Sequence, residues 1–204
     1  MHQELIIYAG NKVDATRALI MIHGRGGSAH DITSLSDSLN VESYLLAAPQ
    51  ATGNSWYPKS FLAPQKENEP WLSSALDLVQ KTVYEINERG ITAENIYFLG
   101  FSQGACLTLE YVARNAKRYG GVVAFTGGLI GDQINRNLYK GNFEKTPVFF
   151  GSSNPDIHVP VDRVHVSADI FKQMGADITE NIYPNMGHTI NQDEINKAND
   201  LIFK

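Results

Sequence analysis

Short runs of Ile, Val, Leu and Phe recur along the chain, separated by stretches in which apolar residues return every three or four positions. Runs of that kind read as strands, and the longer period reads as helices with one apolar face. Seven strands are predicted: Leu5 to Tyr8, Ala18 to Ile22, Tyr44 to Ala48, Ile96 to Gly100, Val122 to Phe125, Val148 to Phe150 and Ile178 to Tyr183. Most are continuously apolar, as strands are when both faces of a parallel sheet are covered. The set Leu72, Ala75, Leu76, Val79, Val83 and Ile86 has helical spacing, with Ser74 and Asp77 as its opening pair and Gly90 as its stop. Val161, Val164, Ala168, Phe171 and Met174 predict a second helix before Gly175, and Ile195, Ala198 and Ile202 a shorter terminal one. Strand and helix thus alternate, which predicts an α/β fold with a mostly parallel central sheet flanked by helices. At 204 residues the expectation is one domain over 1–204.

One long segment, Ala51 to Trp71, follows neither period. Its prolines, two tryptophans, Tyr57 and Phe61 make it a packed and functional loop rather than a disordered one. No insertion between strands is long enough to serve as a lid domain.

Composition narrows the chemistry. With 17 Lys and Arg against 22 Asp and Glu, the net charge of -5 gives no basic stripe, so nucleic acid is not an expected partner. No apolar run approaches bilayer length and the first residues lack a signal-peptide pattern, so no membrane span and a cytoplasmic location are expected. Cys106 is the only cysteine, which rules out an intrachain disulfide and a cysteine zinc site, and it reads as a small core residue.

The residues that carry chemistry lie at the strand ends. Gly100-Phe101-Ser102-Gln103-Gly104 matches G-x-S-x-G, and it stands where a predicted strand passes into a predicted helix through Cys106, Leu107, Leu109 and Val112. Such an elbow lifts a serine hydroxyl above the sheet edge. A serine is a weak nucleophile until a base takes its proton, and His188, after Gly187 between the last strand and the terminal helix, is the expected base. Because the base must be the neutral imidazole, such a site predicts activity that rises with pH towards neutrality. Asp156 is the only carboxylate in the turn after Val148 to Phe150 and is the expected acid, with His158 as the rival of His188. A glycine-rich loop, His23-Gly24-Arg25-Gly26-Gly27, follows the second strand, and the N–H groups of Arg25 and Gln103 are the expected oxyanion donors. Trp56, Tyr57, Phe61 and Trp71 are the expected substrate-binding wall. No metal and no cofactor is called for.

Together these residues resemble the phospholipase/carboxylesterase group of α/β-hydrolases, which includes acyl-protein thioesterases and is related to dienelactone hydrolases. The likeness runs from Ile22-His23-Gly24-Arg25-Gly26 through Pro49, Trp56-Tyr57 and Gly100 to Gly104, and on to Asp156 with Val159-Pro160 and to Gly187-His188. It implies the α/β-hydrolase fold and hydrolysis of a small-molecule ester or thioester through an acyl-enzyme, in a protein that can form a homodimer. An acyltransferase or amidase would use the same triad, and a binding protein could keep the fold without the chemistry. Three features depart from the thioesterases. Arg25 replaces a usual apolar residue, two extra residues separate Gly151 from Asp156, and the Trp56 to Trp71 segment lacks their acyl-binding pattern. Small bacterial esterases of the group look closer, and short soluble esters are the expected substrates.

Overall fold

The computed structural model describes residues 1–204. Strands β1 (Ile6–Gly10), β2 (Ala18–Ile22), β3 (Leu45–Pro49), β4 (Ile96–Phe101), β5 (Gly121–Phe125), β6 (Pro147–Asn154) and β7 (Asp177–Pro184) form one sheet in the order β1-β3-β2-β4-β5-β6-β7. β1 runs antiparallel to β3, and every other neighbouring pair is parallel. The helices are α1 (Ala29–Ser34), α2 (Gln65–Asn68), α3 (Trp71–Asn87), α4 (Gln103–Arg114), α5 (Val161–Gln173) and α6 (Gln192–Leu201).

The continuous apolar strands serve two cores at once. Ala18, Ile20 and Ile22 of β2 pack with α3, α4 and α5, whereas Leu19 and Met21 pack with α1 and α6. Residues of β5 divide in the same way, Val122 and Ala124 on one face and Val123 and Phe125 on the other. Each large apolar side chain buried fully in these layers contributes roughly 1.5–3 kcal/mol, which fixes the sheet as a rigid base for the loops at its carboxyl edge. No helix is long and apolar enough to cross a membrane.

The first five strands end within two residues of the sequence expectation, and three differences go further. β6 and β7 stay paired as far as Asn154 and Pro184, beyond the apolar run, with Ser152 and Ser153 buried in the ladder. α3 starts at Trp71 rather than at Ser74. The Glu69 carboxylate caps it by accepting the Ser73 N–H at 3.0 Å, while the Ser74 hydroxyl is taken by the His2 N–H at 2.9 Å. The segment from Ala51 to Trp71 contains a 3-10 turn, Thr52–Asn54, and the single turn α2. Buried Asn68 ties it together, accepting from Lys59 N–H at 2.8 Å and donating to Ser60 O at 3.0 Å.

Candidate active site

Ser102 occupies the sharp turn between β4 and α4, with φ 55° and ψ -119°. A residue with a side chain adopts positive φ at a cost of about 1–3 kcal/mol, and it persists only where its surroundings force it. Here the Ser102 N–H is held by Phe125 O at 2.9 Å, and the Ser102 carbonyl accepts from Cys106 N–H at 3.0 Å. Glycine is required on both sides. A Cβ at Gly100 would collide with the Gly104 carbonyl, and one at Gly104 would collide with the Ile22 carbonyl, so α4 could not approach β4 and β2 this closely.

The loop that follows β7 brings His188 over this turn. Its Nε2 is 2.8 Å from Ser102 Oγ and its Nδ1 is 2.8 Å from Asp156 Oδ2. A carboxylate can only accept, so Nδ1 carries the proton and Nε2 is left to accept from the seryl hydroxyl. The loop is anchored by Gly187 N–H donating to Ser153 Oγ at 3.0 Å. The Asp156 side chain is 0% exposed and that of His188 is 19% exposed. Burial alone would raise the Asp156 carboxyl. The N–H groups of His158 and Val159, both 2.8 Å from Oδ1, together with the imidazole outweigh burial and hold it below the usual carboxylate range. His158, the rival base, presents its ring edge-on to His188 at 4.9 Å and reaches Asp156 through its backbone alone.

Gly24 packs against the elbow, so that a Cβ there would lie 3.4 Å from the Ser102 Cβ. In this loop the N–H groups of Gly26 and Gly27 are spent on Asn54 O and Gly24 O, whereas the Arg25 N–H has no acceptor. Gln103 opens α4, where backbone N–H groups lack an intrahelical partner. The side chains of these two residues hold one carbonyl in common: Tyr57 O accepts from Arg25 Nη2 at 2.9 Å and from Gln103 Nε2 at 2.8 Å. Arg25 also donates to Ser55 Oγ, Pro58 O and Lys59 O, and Gln103 Oε1 accepts the Trp56 N–H.

The cleft beside Ser102 has a volume of about 400 Å³ and is walled by Tyr57, Phe61, Phe101 and Val159. Of the expected wall residues, Tyr57 and Phe61 line this cleft. Trp56 and Trp71 do not. Trp56 is wholly buried under the glycine-rich loop, where its Nε1–H donates to His23 O at 2.8 Å and its ring packs on His23. That environment satisfies both the large apolar ring and its single donor, which a cleft wall would leave in water. Trp71 begins α3 and packs edge-on against His2. His23, which the sequence marks only as the start of the glycine-rich loop, has a structural role. This histidine is buried, donates from Nδ1 to Gly24 O at 2.7 Å and accepts the Ala51 N–H at Nε2, and burial lowers its pKa, so it is a neutral strut between two loops. Cys106 reaches the cleft floor, and burial pushes its thiol up to about 12, leaving no reactive thiolate near neutral pH.

The sequence model of a family described as phospholipase/carboxylesterase matches residues 3–204. The chain belongs to this family. Its fold is the α/β-hydrolase fold, as in the crystal structure of a phospholipase/carboxylesterase from Dyadobacter fermentans, 53% identical, which superposes with a TM-score of 0.99 over 100% of this chain and 98% of that one. A probable carboxylesterase SOBER1-like from Arabidopsis thaliana is 30% identical over 145 residues, 69% of this chain and 55% of the relative. Acyl-protein thioesterase 1 from Saccharomyces cerevisiae is 31% identical over 134 residues, 64% of this chain and 59% of that protein. The chain thus spans little more than half the length of these two curated relatives.

Proposed function

We propose that this family member is a serine esterase that cleaves small acyl esters or thioesters through an acyl-enzyme. The observation that carries the reading is the unbroken relay from Ser102 Oγ through both nitrogens of His188 to buried Asp156, each contact 2.8 Å long. In that relay Ser102 attacks the acyl carbonyl while His188 Nε2 takes its proton. The imidazolium formed faces an ionised carboxylate whose charge is stabilised by hydrogen bonds on its other oxygen, so Asp156 favours the charged ring without accepting its proton. The developing oxyanion is bound by the N–H groups of Arg25 and Gln103. His188 then returns the proton to the leaving alcohol or thiol, and water repeats the sequence to release the acid.

The shared grip of the Arg25 and Gln103 side chains on Tyr57 O supports this assignment, because donors for an oxyanion act best when they are fixed before reaction. The short cleft supports a small substrate. Each buried methylene adds about 0.8 kcal/mol only while there is wall to cover it, so kcat/KM levels off early. A panel of 4-nitrophenyl esters and acyl thioesters tests both points. kcat/KM is expected to peak at acyl groups of about two to six carbons, and Ser102→Ala is expected to lose several orders of magnitude. A steady climb to palmitoyl substrates would contradict the small-substrate reading, and undiminished turnover by Ser102→Ala would contradict the reaction.

A further inference from the structure

Two side chains that carry a full charge line the cleft, and both are cations. Arg25 comes from the glycine-rich loop and Lys59 from the segment before α2, while His158 and His188 face the cleft from the two loops that carry the relay. No Asp or Glu lines it, although the chain as a whole carries 22 acidic residues against 17 basic ones. The nearest functional carboxylate, Asp156, is buried behind His188 with both oxygens engaged.

The two full cations also lack counter-ions. Every bond of the Arg25 guanidinium goes to a neutral oxygen: Ser55 Oγ at 2.8 Å, Pro58 O at 3.2 Å, Tyr57 O at 2.9 Å and Lys59 O at 2.7 Å. None of the molecule's ion pairs includes Arg25 or Lys59. Carbonyl dipoles position a guanidinium but do not cancel its charge, so a positive field remains beside Ser102. Walls of Phe61, Phe101, Tyr57 and Val159 reduce the screening that water would give and focus that field into the cleft.

Resting on the esterase reading above, we propose that the preferred substrates are short esters or thioesters bearing a second, anionic group, a carboxylate in the first instance. The apolar wall takes the few carbons between the two groups. Arg25 and Lys59 together attract the anion, Lys59 as the more mobile charge because its ammonium has no partner to hold it.

Monomethyl glutarate and dimethyl glutarate differ in one negative charge at nearly constant shape, and they separate this proposal from the reading it rests on. The ratio of kcat/KM for the monoester over the diester is expected to fall about five-fold or more in Lys59→Glu. The same ratio should fall in the native enzyme as salt shortens the Debye length from about 30 Å at 0.01 M to about 3 Å at 1 M. A ratio that moves less than two-fold under both changes overturns the anion preference while leaving the esterase intact. Failure to turn over either ester, or turnover that survives Ser102→Ala, would instead count against the esterase. In that event NMR titration of Ser102→Ala protein with monomethyl glutarate still decides the charge claim. Binding that weakens with salt and in Lys59→Glu supports it, and binding equal to that of the diester at all salt concentrations overturns it.

Discussion

The carboxyl of Asp156 has two oxygens with different duties, and this division sets what its replacement should do. Oδ1 holds the acid turn through the His158 and Val159 N–H groups, and Oδ2 alone orients His188. Asp156→Asn can keep the first set through its carbonyl oxygen, but it then turns an NH₂ towards Nδ1 and favours the tautomer in which Nε2 bears the proton. kcat is expected to fall by on the order of 10⁴-fold or somewhat less, with the fold retained by circular dichroism. His158→Ala removes an edge-on ring contact and one cleft-lining side chain but leaves the backbone bonds to Asp156 in place, and should lose less than about ten-fold, a cost in line with one aromatic contact of about 0.5–1.5 kcal/mol. The reverse ranking would show that acid and base were assigned to the wrong residues. At this scale the sequence was legible in placement, since Ser102, Asp156 and His188 lie within hydrogen-bonding reach of one another as their motifs led one to expect. It was illegible where two aromatic residues compete for wall and core. Nothing in the string distinguishes Tyr57, which lines the cleft, from Trp56, which supports the loop beneath it.

Among the elements, α6 carries a device that links the His188 loop to the sheet. Asn191 and Glu194 form a reciprocal cap, with Asn191 Oδ1 accepting the Glu194 N–H at 2.8 Å and Glu194 Oε2 accepting the Asn191 N–H at 2.9 Å. The other oxygen, Oε1, is buried without a partner against Gly151 of β6, where a Cβ would collide with it. Burial therefore pushes the Glu194 carboxyl up to about 7. In the unfolded chain it titrates near 4.3. Between those values the folded protein holds a proton that the unfolded chain releases, so stability is lost as pH rises from about 4.3 to 7. In urea unfolding, Glu194→Gln should lose less stability between pH 5 and 8 than the native protein, by on the order of 2 kcal/mol. Equal pH dependence in both would contradict a buried, protonated Glu194. The strands were legible because both faces of the sheet are buried. Their ends were not, since Ser152 and Ser153 continue the β6 ladder where hydrophobicity has already stopped. The start of α3 was misread for a related reason: a Ser-x-x-Asp pattern looks like a cap, but Glu69 reaches the first turn from outside it.

Taken whole, the molecule is a single sheet covered by helices on both faces, and its carboxyl edge gathers four loops: the glycine-rich loop after β2, the elbow after β4, the turn bearing Asp156 after β6 and the loop bearing His188 after β7. Parallel order makes this gathering inevitable, because every crossover returns the next strand's end to the same edge. The side chains of Arg25 and Gln103 then tie the segment around Tyr57 to two of those loops, so the cleft wall is held to the glycine-rich loop and the elbow. The cationic cleft on a molecule of net charge -5 became visible only in three dimensions, since Arg25 and Lys59 are far apart in the chain. All of this converges on one claim, that His188 makes Ser102 an activated nucleophile. A fluorophosphonate tests it most directly, because it reacts with an activated serine and leaves a stable adduct whose position mass spectrometry can read. The account predicts one adduct per chain, mapped to the peptide bearing Ser102 and lost in both Ser102→Ala and His188→Ala. An unlabelled native protein, or an adduct on any other residue, would contradict it.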